Sequence, residues 1–271
     1  MAKSLAPVAP VTAAIIESKP SLKSANVQVN DVPTRFMMRK QLPPAALSSP
    51  TEEIRIVTAG EYKEAAACLA AAFADDHVSR YFIDVPDRKH WTEKEKWELH
   101  VEIFEYVVYA HILKGLVTTI GNYGAVALWM PPGQNMDDLW TIVRSGMWRL
   151  NYRLSAEGKS RFFQEFLPLL HVTKTATLGA RDDDSWYLVY IGTSPSGRGK
   201  GYCRKLIEHV TKQADRDGRA CYLESSNDVN PTIYRKFGFE DRRTIHLQRA
   251  EENIRLDIMV REPGAQEKVG P

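Results

Sequence analysis

Polar and apolar residues alternate through Glu53-Ile54-Arg55-Ile56-Val57, the pattern of a half-buried strand. Glu61 to Phe73 is rich in alanine and predicts a helix. From Lys94 to Lys114 the apolar residues Trp97, Val101, Phe104, Val107, Val108 and Ile112 recur near helical spacing, which predicts a long amphipathic helix. Leu116–Ile120 and Ala125–Met130 are two apolar runs separated by Gly121-Asn122-Tyr123-Gly124, and Pro131-Pro132 stops the second. They predict a strand pair joined by a tight turn. Met136 to about Leu170 is helical in pattern but irregular. Trp186–Ile191 is an unbroken apolar run of β-branched and aromatic residues, as in a strand covered on both faces. It ends in the glycine-dense stretch Gly192 to Gly201. A helix to about Asp217 then buries Tyr202, Leu206, Ile207, Val210 and Ala214, with Gly218 as its C-cap. Cys221–Ser225 predicts a short strand, Pro231–Phe237 a short helix, and Gly238-Phe239 the start of another strand. Thr244–Leu247 and Ile254–Val260 predict a closing antiparallel pair. Strands alternating with helices imply a mixed α/β sheet.

Outside residues 52–262 the pattern fails. Seven of the 15 prolines lie in the first 50 residues, among many alanines and serines, and proline removes backbone donors and breaks helix interiors. Residues 1–51 therefore read as a disordered Pro/Ala-rich tail and 263–271 as a flexible C-terminus, around one folded domain. The tail has a net charge of +4, a composition that a mitochondrial presequence shares. Its prolines interrupt any amphipathic helix, however, and no arginine precedes Arg35. A cytoplasmic protein is the expectation, with a mitochondrial one as the alternative.

Composition narrows the function classes. Lys and Arg number 36 against 34 Asp and Glu, too even a balance for a general nucleic-acid binder. Cys68, Cys203 and Cys221 are too few and scattered for a disulfide scaffold. The best membrane-span candidate, Ile103 to Val117, is broken by Glu105, His111 and Lys114, so no membrane partner is expected.

The candidate chemistry sits in the glycine stretch. A strand feeding a glycine-rich turn into a helix N-terminus is an anion site, because the first helical N–H groups lack internal partners and the helix dipole is positive there. Gly192 and Gly197 match the glycines of a Walker A loop, but Arg198-Gly199 stands where Lys-Ser/Thr is required. Gly197, Gly199 and Gly201 are spaced G-x-G-x-G, which fails the Rossmann fingerprint. A bare structural turn is the remaining alternative to a ligand loop.

Arg198-Gly199-Lys200-Gly201-Tyr202-Cys203 resembles the acyl-CoA pyrophosphate loop of the GNAT acetyltransferases, Gln/Arg-x-x-Gly-x-Gly/Ala, with Cys203 as a departure at the last position. Asn230-Pro231-Thr232-Ile233-Tyr234-Arg235-Lys236-Phe237-Gly238-Phe239 is similar to that family's Asn…Tyr-x-x-x-Gly-Phe. Each motif alone is of middling specificity; in order, one helix and one strand apart, they are strong. Trp186–Pro195, Leu223-Glu224-Ser225-Ser226 and Tyr234–Phe239 most resemble puromycin N-acetyltransferase-like small-molecule N-acetyltransferases. The likeness extends faintly to Ala72–Asp75 and Val126–Trp129.

The resemblance implies the GNAT fold, a central mixed β-sheet of about six to seven strands flanked by helices. It also implies acetyl-CoA as co-substrate, with acetyl passing directly to an amine. The Arg198, Gly199, Lys200, Gly201, Tyr202 and Cys203 amides would hold the pyrophosphate, with Asn230 nearby. Backbone at Ile191, Gly192 and Thr193 would pair with the pantetheine arm and polarise the thioester. Tyr234 would protonate the departing thiolate. The alternative for Tyr234 is a packed aromatic. Glu224 ends a central strand, where ligands of open α/β sheets collect, and is the candidate base. The equal alternative is a carboxylate that binds the substrate ammonium without taking its proton.

Other residues take plainer readings. Cys203 is a small packing residue rather than a nucleophile, and His209 a solvated histidine. No histidine has ligand spacing, so no metal is expected. Asp182-Asp183-Asp184 is a charged loop, and Tyr81, Phe82 and Trp129 are core or acceptor-pocket aromatics. The expected function is N-acetyl transfer to a small amine such as a toxin or antibiotic. The alternatives are a peptide or protein acetyltransferase and a non-catalytic acyl-CoA-binding module. The sequence does not fix the oligomeric state.

Overall fold

The computed structural model describes residues 52–265; the tail expected over 1–51 and the end of the C-terminus lie outside the described residues. The strands are β1 (Arg55–Ile56), β2 (Leu116–Ile120), β3 (Ala125–Met130), β4 (Trp186–Thr193), β5 (Cys221–Ser225), β6 (Glu240–Leu247) and β7 (Ile254–Arg261). The helices are α1 (Tyr62–Ala72), α2 (His77–Tyr81), α3 (Glu93–Lys114), α4 (Leu139–Ser145), α5 (Leu150–Arg153), α6 (Ala156–Lys159), α7 (Leu167–Leu178), α8 (Tyr202–Arg216) and α9 (Asn230–Arg235). One seven-stranded sheet runs in the order β1-β2-β3-β4-β5-β7-β6, with β4 and β5 parallel and the other neighbours antiparallel. The mixed α/β expectation holds, and so does the strand number.

Each face of the sheet buries its own helices. Leu206, Ile207, Val210 and Ala214 of α8 pack on Ile120, Trp129, Leu188, Leu223 and Met259. On the other face, Leu69 of α1 and Phe104 and Val108 of α3 pack on Val117, Val126 and Leu128. The strict alternation along β3 explains why all six of its residues are buried. The alanines of α1 let that helix lie close to β4: a Cβ on Gly192 would stand 2.7 Å from the Ala72 Cβ. Helix α3 starts at Glu93, one residue before the expected Lys94, because the Thr92 hydroxyl accepts from the Glu95 amide while Glu95 accepts from the Thr92 amide at 2.8 Å.

Three local expectations change. First, β1 shrinks to two residues at the sheet edge. Second, the segments begun at Gly238-Phe239 and Thr244 are one strand, β6, made continuous by a bulge between Asp241 and Arg243. Third, β4 is not covered on both faces throughout, since its residues after Leu188 are mostly half-buried. The irregular stretch 136–170 resolves into α4, α5, α6 and a π-helical run Ser160–Phe166 leading into α7. That stretch encloses a core of its own, with Phe162 against Tyr81, Phe82, Leu247 and Leu256.

His111 lies fully buried in α3, its Nδ1 donating to the Val107 carbonyl at 2.8 Å and its Nε2 without a partner among the described residues. Burial holds the imidazole down at about 4, below its ordinary 6.5. The native state therefore resists the proton that the unfolded chain accepts, and stability is lost as pH falls from 6.5 toward 4, by at most about 3 kcal/mol. His111→Leu has no such proton to refuse. Its melting temperature is expected to fall less than the wild type's over that pH interval, and parallel losses would remove His111 from the acid response.

Candidate functional site

The register between the two parallel strands sets the site. β4 and β5 pair only at Trp186↔Cys221, Tyr187↔Tyr222 and Leu188↔Leu223. Beyond that point β4 stays bonded to β3 through Ala127↔Ile191, Val126↔Gly192 and Ala125↔Thr193, while β5 stays bonded to β7 through Glu224↔Ile258. The β5-facing edge of Val189–Thr193 thus has no strand beside it. A bulge marks the parting: Leu128 pairs with Tyr190 but Trp129 with Leu188, which leaves Val189 as the extra residue. The bulge shifts the side-chain alternation. Leu188 and Ile191 both meet the α8 core, whereas Tyr190 turns to Phe73 and Phe104 on the opposite face.

The loop after β4 is held by the β2–β3 turn. The Ser194 amide donates to the Gly124 carbonyl at 2.9 Å, and a Cβ on Gly197 would stand 2.1 Å from that same oxygen. The Tyr202 ring lies over the turn, so that a Cβ on Gly121 or Gly124 would meet it at 2.5–2.7 Å. Gly199 and Gly201 have φ of +77° and +70°, and their missing Cβ atoms point into open space. Gly201 is the N-cap of α8 and offers no side chain to its first amides. Arg198 and Lys200 are exposed at this end, with the Lys200 ammonium 5.8 Å from the Tyr202 ring. Uncapped amides, two left-handed glycines and open space are what an oxyanion-bearing ligand needs. This loop and the free β4 edge fit the pyrophosphate and pantetheine parts of an acyl-CoA.

Tyr234 faces the α8 side and is buried with Phe237, Phe239 and Leu223. Its motif closes on itself: the Phe237 and Phe239 amides donate to the Tyr234 carbonyl at 2.9 and 3.2 Å, and the turn requires Gly238 at φ +83°. Phe239 then packs its ring 6.0 Å from that of Tyr234. Behind it the buried Arg261 guanidinium donates to the Phe237 carbonyl at 2.8 Å and grips Asp215 of α8 at 2.6 and 2.8 Å. Burial, with the neighbouring Cys203 thiol adding to it, pushes the phenol well above its usual range, so it holds its proton at neutral pH. Burial also raises Cys203, to about 11, which leaves it a thiol. Asn230 is the first residue of α9, half-buried, and forms no side-chain cap there.

Glu224 is the first β5 residue past the β4 pairing, and alternation places it on the face opposite Leu223. Its Oε1 is buried with no hydrogen-bond partner among the described residues. Burial pushes the carboxyl up to about 7, and the nearby Tyr187 and Tyr222 hydroxyls offset only part of that. Asp76, missed in the sequence, lies on the same side: it caps α2 by accepting from the Ser79 amide at 2.9 Å and accepts from the Ser226 hydroxyl at 2.5 Å. From Ser226 a cleft of about 690 Å³ opens between the segment after α2 and the loops after β5 and β6. Residues 74–92 have no period that would have announced a cleft wall.

Other candidates fall into place as packing or surface. Tyr81, Phe82 and Trp129 are core residues, the Tyr81 hydroxyl bonding Glu165 at 2.5 Å. His209 is exposed. Asp182 is bound by Lys174 and Thr175, and Asp184 by Arg219. No group of three metal-ligating side chains occurs among the described residues, nor a helix long and apolar enough to cross a membrane.

The model of the acetyltransferase (GNAT) domain family matches residues 170–241, from α7 through the glycine loop to the start of β6. An uncharacterized N-acetyltransferase of Schizosaccharomyces pombe is 49% identical over 213 residues, covering 78% of this chain and 84% of that protein. The chain belongs to the GNAT acetyltransferases. GNAT members use acetyl-CoA, and this chain is an acetyl-transferring enzyme. Two solved structures share the GNAT fold. Arylalkylamine N-acetyltransferase 2 of Aedes aegypti has a TM-score of 0.50 at 15% identity, covering 78% of this chain and 98% of its own. The Drosophila melanogaster polyamine N-acetyltransferase has a TM-score of 0.50 at 14% identity, covering 78% and 99%.

In this GNAT domain the buried Glu224 is a stability cost above neutral pH. A carboxyl raised from 4.5 to about 7 favours the native state below pH 4.5, and that advantage is lost as pH rises through 7. Glu224→Gln is expected to melt higher than the wild type at pH 8, by at most about 6–12 °C for a cost of about 3 kcal/mol, with the gain absent at pH 4. An unchanged difference between the two pH values would show that the carboxyl is not desolvated.

Proposed function

We propose that the chain transfers acetyl from acetyl-CoA directly to the amine of a small molecule. The observation that carries this reading is the position of Glu224, whose Oε1 is buried without a hydrogen-bond partner among the described residues and whose carboxyl is raised to about 7 beside the gap between β4 and β5. A base with that pKa is largely charged at physiological pH yet still able to take a proton from an approaching ammonium. Tyr234 lies on the other face of the sheet and keeps its proton, so the two roles are separated by the gap: deprotonation of the amine at Glu224, protonation of the leaving thiolate at Tyr234. Acetyl-CoA supplies the activated acyl group. Arg198, Gly199, Lys200, Gly201, Tyr202 and Cys203 hold its pyrophosphate, Asn230 borders that end, and Ile191, Gly192 and Thr193 align its pantetheine arm. No residue here needs a metal.

The size of the cleft favours a small acceptor over a folded protein, because about 690 Å³ falls within the usual range for small-molecule pockets.

Thiol release from acetyl-CoA in the presence of panels of small amines and of peptides tests the reading. Release with small amines and not with peptides is expected; release with peptides alone would replace it by the peptide-transferase alternative. Tyr234→Phe should lower kcat about 10-fold or more and leave acetyl-CoA affinity nearly intact. Turnover equal to the wild type's would end the acid assignment. Gly201→Asp places a branched side chain at φ +70° and a negative charge against the uncapped amides, although no atom of the protein lies where its Cβ would go. Calorimetry should find CoA binding lost, and tight binding would overturn the loop assignment.

A further inference from the structure

The cleft that opens beside Ser226 is lined by charges of both signs, and most of its cations are already committed. Arg80 and Lys96 are shared between Asp84 and Glu93, Arg161 bonds Glu157 and the Tyr81 carbonyl, and Arg255 pairs with Asp257. The uncommitted charges divide by segment. Arg88 and Lys89 stand between α2 and α3, while Asp228 follows β5 and Glu251 and Glu252 follow β6; none of the five has an ion pair among the described residues.

Arg88 is the more telling of the two cations. Its guanidinium lies 3.8 Å above the Trp91 ring, which fixes its plane, and its Nη1 is buried with no acceptor among the described residues. The rest of the side chain is half-buried and lines the cleft, where the carboxylate of an incoming molecule would meet a cation that has no ion pair among the described residues. Lys89 adds an exposed positive charge beside it. No Phe, Tyr or Trp side chain is among the residues that line the cleft.

We propose that the acceptor is a zwitterion, carrying a carboxylate in addition to the amine that is acetylated. Arg88 and Lys89 bind the carboxylate. Asp228, Glu251 and Glu252 attract the ammonium end and pass it toward Ser226, Asp76 and Glu224. This rests on the small-amine reading above and adds the acceptor's charge pattern to it.

Steady-state thiol release at saturating acetyl-CoA, with alkylamines, α,ω-diamines and ω-amino acids over a range of chain lengths, tests it. At the best length the ω-amino acid is expected to exceed the alkylamine in kcat/KM by about tenfold, the equivalent of one charged contact. Arg88→Gln should raise KM for that ω-amino acid about tenfold. Lys89→Glu, at an exposed position, should turn the order of preference toward the diamines. A wild-type preference for diamines or alkylamines, or a Lys89→Glu variant with the wild-type order, overturns the zwitterion and leaves the transferase reading in place. No release with any series, alongside calorimetric acetyl-CoA binding, overturns the small-amine reading and this inference with it.

Discussion

The three-residue pairing of β4 with β5 is the constraint on which the site depends. A sheet that parts in its middle leaves backbone donors and acceptors without partners, a cost that soluble proteins otherwise avoid. Here both strands remain anchored on their outer neighbours, so the gap is rigid rather than frayed. The extra residue Val189 lets β4 keep its bonds to β3 while changing which side chains face which layer. Without it Ile191 would not share a face with Leu188, and Tyr190 would not reach Phe73 and Phe104. The bulge, the close approach of α1 at Gly192 and the seating of Gly197 on the Gly124 carbonyl together aim the end of β4 at the N-terminus of α8.

The gap also explains the electrostatics on its two sides. Tyr234 and Glu224 are both desolvated, and desolvation favours the neutral form of each. For a phenol that means a proton retained across the physiological range. For a carboxyl it means a pKa brought near neutrality, because the Tyr187 and Tyr222 hydroxyls and the distant Lys174 ammonium only partly replace lost water. One physical effect, acting on two residue types on opposite faces of one sheet, keeps a phenol protonated and brings a carboxyl near neutrality, which is what the proposed donor and acceptor roles rest on.

Much of this was legible from local sequence. The β2–β3 hairpin, helix α3 and α8 follow from apolar spacing, and the Tyr-x-x-x-Gly-Phe spacing is that of a helix end closing through a left-handed glycine. Glu224 was legible as a strand-end carboxylate, but not its pKa, which burial in the fold raises and the hydroxyls of Tyr187 on β4 and Tyr222 on β5 only partly offset. The bulge at Val189 leaves no mark, since an apolar run reads the same in either register. The grip of Arg261 on Asp215 joins residues 46 apart in sequence, and the 74–92 segment buries Val78, Tyr81, Phe82 and Ile83 against partners distant in the chain, with no apolar period to announce it.

That last segment shows why the acceptor side of such an enzyme resists sequence reading more than the donor side. A pyrophosphate is recognised by backbone amides, and the glycines that expose them form a short contiguous motif. An acceptor is recognised by side chains from three separate loops, whose relevance depends on which charges the fold has already neutralised. Arg80, Arg161 and Arg255 are the same letter as Arg88, and Lys96 carries the same charge. They differ only in having carboxylates within reach, and the charge left over after such pairing, rather than the net charge of +2, is what an incoming molecule meets.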